Sequence, residues 1–123
     1  MNVTMPSVPL LTGTAALALQ AATADLRGYP PSHPDSQLLA LAEKFFVESA
    51  LFCAAEDETP EEEVAFQAYQ SAIDQMTGTP AIGPVGLMAK ARVIMSYRSN
   101  LELMADLTAS LCADCIRLAG GAA

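Results

Sequence analysis

Apolar residues recur at helical spacing through most of this chain, and nowhere do they alternate with polar ones long enough to suggest a strand. Leu38, Leu41, Ala42, Phe45, Ser49 and Phe52 follow the i, i+3, i+4 rhythm that gathers side chains on one helix face. Leu39, Phe46, Ala50 and Cys53 form a second stripe beside it, so a helix over about 36–55 has a face broad enough for more than one neighbour. Val64, Ala65, Ala68, Tyr69, Ala72, Ile73 and Met76 mark the inner side of a helix over 60–77. Leu87, Ala91, Ile94 and Met95 do so for 84–97, and Leu101, Met104, Leu107, Thr108, Leu111, Cys115 and Leu118 for 100–119. Upstream, Ala15, Ala18, Leu19 and Ala22 share one side of a fifth helix over about 12–27, while Pro6 and Pro9 make 1–9 irregular.

The polar residues between these runs punctuate them. Thr59-Pro60-Glu61-Glu62-Glu63 reads as an N-cap, a proline at the first helical position and acids in the first turn, with Glu62 placed for a capping box. Ser99-Asn100-Leu101-Glu102 repeats the box, although Ser99 would also fit inside one long bent helix spanning 84–119. Gly78 and Gly120 stand where helices stop, and Asp35 or Ser36 caps the helix that follows. Two proline-rich connectors, 28–34 and 79–84, interrupt the pattern. Short links between amphipathic helices predict an all-α, antiparallel four-helix bundle-like domain over 35–119, preceded by an N-terminal segment and linker over 1–34 and followed by a tail over 120–123.

Composition narrows the function classes. A chain of 123 residues buries roughly two-thirds of its unfolded surface, enough for one core without staples. With 52% hydrophobic but only 6% aromatic residues and no tryptophan, that core is aliphatic. The formal charge of −8 is local, because Glu56, Asp57, Glu58, Glu61, Glu62 and Glu63 lie within eight positions. Only six basic residues are present, too few to track a phosphate backbone, which argues against direct nucleic-acid binding. The stretch from Leu10 to Ala24 imitates an export signal, yet no Lys or Arg precedes Arg27 and the stretch is too short to span a bilayer. Three cysteines fit a reducing compartment better than a disulfide framework. The expectation is a cytoplasmic protein without a membrane span, with export as the alternative.

Cys112-Ala113-Asp114-Cys115 is the one constellation with a chemical look. Redox reactivity in such a pair is raised at a helix N-terminus, whereas this pair falls near the end of a helix, so core packing is the leading reading, with redox chemistry and metal binding as alternatives. A Cys3His zinc set would combine His33, Cys53, Cys112 and Cys115, against the habit of structural zinc sites to use two close-spaced pairs. The acids at 56–63 lack the glycine of a calcium loop and are read first as caps and first-turn charges. The single His33 supports no nucleophile, base and orienter arrangement, so no catalytic residue and no cofactor are expected. The methionines fit an adaptable core. Glu61, Glu62, Glu63, Tyr97 and Arg98 are the candidate partner-binding residues.

Pro34 to Leu41 followed by Phe45, with Thr79-Pro80 and Gly86-Leu87-Met88-Ala89-Lys90-Ala91 further on, resembles a group of small uncharacterised bacterial helical proteins often found in prophage-like or mobile regions. The resemblance covers about 34–118 and implies a helical fold with no catalytic residues to carry over. Together these readings point to a non-enzymatic helical module that binds a protein partner or a second copy of itself. The alternatives are an acidic inhibitor of a nucleic-acid-binding protein, and a metal-binding or redox protein using Cys53, Cys112 and Cys115.

Overall fold

The chain folds, in a computed structural model that describes residues 13–97, 100 and 102–121, as five α-helices with no strand among the described residues. These are α1 (Gly13–Thr23), α2 (Ser36–Ala54), α3 (Pro60–Thr77), α4 (Pro84–Ser96) and α5 (Ala105–Gly121), with a 3-10 turn at Ala24–Leu26.

The helix ends follow from side-chain caps. Thr59 Oγ1 accepts from the Glu62 N–H at 3.2 Å, and Glu62 Oε1 reaches back to accept from the Glu58 N–H at 2.8 Å, one residue earlier than a standard box. That arrangement holds Glu58 in the left-handed region at φ 60°. Gly78 closes α3 by donating to Asp74 O. Gly120, by contrast, lies inside α5, which continues to Gly121. The last helix starts at Ala105 rather than near 100: Asn100 Oδ1 accepts from the Leu103 N–H at 3.2 Å, and this turn separates α4 from α5. Segment 84–119 is therefore two helices. Arg98, Ser99 and Leu101, together with the expectations placed on 1–12, lie outside the described residues.

Consecutive helices of the bundle run antiparallel. Phe52 near the end of α2 packs on Phe66 in the first half of α3, with ring centroids 5.9 Å apart. The hairpins α2–α3 and α4–α5 then stack, placing α2 beside α4 and α3 beside α5. Each of these cross-hairpin pairs is parallel: Asp35 meets the start of α4, while Ser49 and Tyr97 near the two C-terminal ends share a 3.1 Å hydrogen bond. Helix α1 lies along the outside of α2. Its 3-10 tail is pinned by Arg27 to Glu43 at 3.1 Å and by Arg92 to Asp25, and Leu26 enters the core. Residues 13–27 are thus docked on the bundle.

Leu38, Ala42, Phe45, Ala72, Met76, Val93, Met104 and Leu107 are fully buried. Phe45 joins Phe46, Tyr69 and Tyr97 in edge-on contacts at one end of this core. On α2 and α3 the inward residues are those the spacing indicated, except that Val64 at the start of α3 and Cys53 near the end of α2 are exposed. On α4 the inward face is Gly86, Ala89, Lys90 and Val93, so Leu87, Ala91 and Ile94 are only half-buried and Met95 is exposed. On α5 it is Leu107 and Asp114, with Met104 of the preceding turn beside them, leaving Thr108 and Cys115 in solvent. Both rotations have one cause, an ion pair inside the bundle.

Candidate functional site

Lys90 is fully buried and donates to Asp114 Oδ2 at 2.5 Å and to Ser110 Oγ at 2.8 Å. Ser110 passes the chain of bonds on to Thr77 O at 2.9 Å. Asp114 also accepts from the Ala81 N–H at 3.2 Å and from Arg117 at 3.0 Å, and Arg117 donates to Ala81 O at 2.7 Å. Burial by itself pushes the Asp114 carboxyl up. Hydrogen bonds from Lys90, Arg117 and the Ala81 N–H, helped by the ammonium charge, outweigh that and hold it below the usual carboxylate range.

A second carboxylate fastens the same connector. Asp35 occupies the N-cap position of α2, where its carbonyl accepts from the Leu39 N–H at 3.0 Å, but its side chain makes no bond to that helix. Its oxygens instead accept from Ile82 N–H at 2.7 Å, Gly83 N–H at 3.0 Å and Gly86 N–H at 2.9 Å, capping the foreign helix α4. A Cβ at Gly86 would lie 2.6 Å from Asp35 Oδ1 and 2.8 Å from Ala81 Cβ, so only glycine admits this approach. His33 Nδ1 accepts from the Asp35 N–H at 3.0 Å, and the ring stacks edge-on against Tyr29. Both oxygens of both carboxylates are engaged by the protein itself. This cluster is a clasp on the 78–83 connector.

The open surface lies on the other side of α2. Ala15, Ala18, Leu19 and Ala22 of α1 face Phe46, Ser49, Ala50, Cys53 and Ala54 of α2 across a trough of about 340 Å³ with almost wholly apolar walls. Helix α1 carries no charged residue, and Leu17 on its outer side is 67% exposed. A helix without charge is normally covered on most of its sides, whereas among the described residues α1 is covered by α2 on one. A second, more polar cleft of about 550 Å³ lies under the proline linker, between Arg27, Tyr29 and Pro30 on one side and Gln37 and Glu43 on the other.

The candidates from sequence fall in separate places. Glu61 and Glu63 are exposed on the first turn of α3, Glu62 is committed to the cap, and Glu63 accepts from Gln67 at 2.7 Å. Tyr97 is half-buried against Phe45 and Tyr69 with its hydroxyl bound to Ser49. Arg98 lies outside the described residues. The core placement expected for the cysteines is corrected: Cys112 and Cys115 are exposed because Asp114 takes the inward position of α5, and Cys53 is exposed on the wall of the open trough beside α1. The Cys3His set is not assembled either, since among the described residues no three His, Cys, Asp or Glu side chains are grouped to hold a metal ion. Nor, among them, is any helix long and apolar enough to cross a membrane.

Asp35, Gly86, Lys90, Asp114 and Leu17 were passed over by the periodicity. One weak signal pointed to two of them: Lys90 and Asp114 are opposite charges on successive helices, each set directly between apolar neighbours, Ala89 and Ala91 for the one and Ala113 and Cys115 for the other. No protein-family model, curated protein or solved structure matches this chain.

Proposed function

We propose that this protein is a non-enzymatic helical interaction module that takes the apolar face of a partner helix into the trough between α1 and α2. The observation that carries the reading is the trough itself, open and almost wholly apolar, with one wall supplied by the uncharged helix α1. An open apolar groove between two helices is what receives the apolar face of a partner helix. Three free thiols fit action in the cytoplasm. The direct test is affinity capture from the source cells with Ala18→Glu, on an exposed wall of the trough, beside a control, Val64→Glu, which places the same charge on an exposed position of α3. The proposal expects a partner lost with Ala18→Glu and kept with Val64→Glu; equal capture by all three chains refutes it.

A second reading draws on the acidic corner, where Glu56, Asp57, Glu58, Glu61 and Glu63 are all exposed at the α2–α3 junction. There the partner is a basic nucleic-acid-binding protein, and Glu61, Glu62 and Glu63 changed together to Gln abolishes binding while α3 stays folded. Retention of the partner by that variant excludes this reading.

A further inference from the structure

A different face, on α5, carries chemistry that the trough does not use. Because Asp114 points inward, its two flanking cysteines point out, and Cys112 and Cys115 are both exposed. They belong to a stripe at three- and four-residue spacing, Ala105, Thr108, Cys112, Cys115, Ile116 and Ala119, every member of which is exposed and none charged. Ile116, 73% exposed, is the most solvent-accessible large apolar side chain of the described residues. The two thiols sit near the middle of this stripe rather than at an end.

We propose that Cys112 and Cys115 form half of a thiolate site for a zinc-class divalent cation, and that a second copy of the chain supplies the other half. Ligands three residues apart on one helix reach a common metal, as the inward Glu-x-x-His pairs of di-iron bundles do. One chain offers two sulfurs on this face, and a structural zinc ion takes four tetrahedral ligands. A two-fold axis through the centre of the stripe brings two such pairs together, and the same uncharged patch then faces itself, as an isologous contact requires. Small residues on both sides of the cysteines let the helices approach, and no charge of the two −8 chains is buried at the seam. The stripe is roughly 21 Å long and about 10 Å wide by helix dimensions. That is on the order of 200 Å² per copy, well short of the ~800 Å² per partner of a stable interface, so the pairing depends on the metal. On binding, four S–H bonds break, four metal–sulfur bonds form and four protons pass to solvent, with no change of oxidation state.

The experiment uses the full chain, reduced with a phosphine, titrated with zinc chloride and followed by light scattering after size exclusion. The expected result is a shift from the 12.9 kDa monomer to a dimer, saturating at half an equivalent of zinc, with cobalt(II) giving intense thiolate charge-transfer bands. Cys112→Ser with Cys115→Ser removes both the shift and the bands, Cys53→Ser keeps them, and Ile116→Glu weakens the dimer at least tenfold with helicity unchanged. All four positions are exposed, so the variants leave the core intact. A chain that stays monomeric with zinc, binds one zinc per monomer, or loses the site with Cys53→Ser overturns the proposal. Because Ala18 lies on another helix, Ala18→Glu dimerises with zinc like the parent, which separates this site from the trough.

Discussion

Replacing Asp114 with Leu tests the buried clasp most severely. The change leaves the Lys90 ammonium, which has no solvent exposure, with Ser110 Oγ as its remaining partner among the contacts seen, and it unties the Ala81 N–H. Removing one partner of a buried pair costs about 3–5 kcal/mol, because an uncompensated charge stays behind. Lys90→Met is milder, since Asp114 keeps Arg117 and the Ala81 N–H; a cost of about 2–3 kcal/mol follows. The double variant removes both charges and leaves only an unpartnered N–H, so it is more stable than Asp114→Leu alone, with a coupling of about 3 kcal/mol across the cycle. A domain of this size has roughly 5–15 kcal/mol in total. Urea unfolding followed by helical circular dichroism resolves the effect, because about 4 kcal/mol moves the midpoint by roughly 2 M at a slope near 2 kcal/mol/M. Additive losses in the double variant, or an Asp114→Leu cost below about 1 kcal/mol, would refute the reasoning.

Other consequences follow from the same contacts. Gly86→Ala, which on helix propensity alone should gain about 1 kcal/mol, instead loses roughly 1–3 kcal/mol by pushing on Asp35 and Ala81, seen as a lower midpoint in the same unfolding assay. The Asp114 carboxyl is held below its unfolded value of about 3.9, so its contribution is complete above that pH and drains away as the pH falls through and below it; Asp114→Leu lacks this acid limb. Burial first, then the neighbouring Tyr97, raise the Tyr69 hydroxyl above its ordinary value. The neutral phenol therefore adds stability below about pH 10 that is lost as the pH rises further, a limb that Tyr69→Phe removes in an alkaline unfolding series.

Much of this fold was legible because helix ends and apolar spacing act locally. Thr59 and Pro60 start α3 wherever the rest of the chain lies, and Leu38, Leu41, Ala42 and Phe45 define the face of α2 without reference to any partner. The α4 and α5 faces were misread because Lys90 and Asp114 are polar in isolation and belong inside only once paired, a contact 24 residues apart that no local rhythm encodes. The same blindness hid Asp35. A residue before a helix is read as that helix's cap, whereas its carboxylate serves α4 more than 45 residues later. It also sent the cysteines to the core: with Asp114 turned inward, Cys112 and Cys115 face solvent. The trough required knowing that α1 docks on α2 along one side only, which the low charge of 13–23 allows but does not dictate.

The central claim, that the α1–α2 trough is where a partner helix sits, is tested most directly through Cys53 on its wall. A short photo-crosslinker attached to Cys53, in a chain carrying Cys112→Ser and Cys115→Ser, is irradiated in extract of the source cells and the adduct mapped by mass spectrometry. The account predicts one dominant adduct, formed on an apolar helical segment of a single protein and abolished by Ala18→Glu on the facing wall. Adducts no more abundant or selective than those from the same probe on Ser71→Cys, an exposed position of α3 away from the trough, would contradict it.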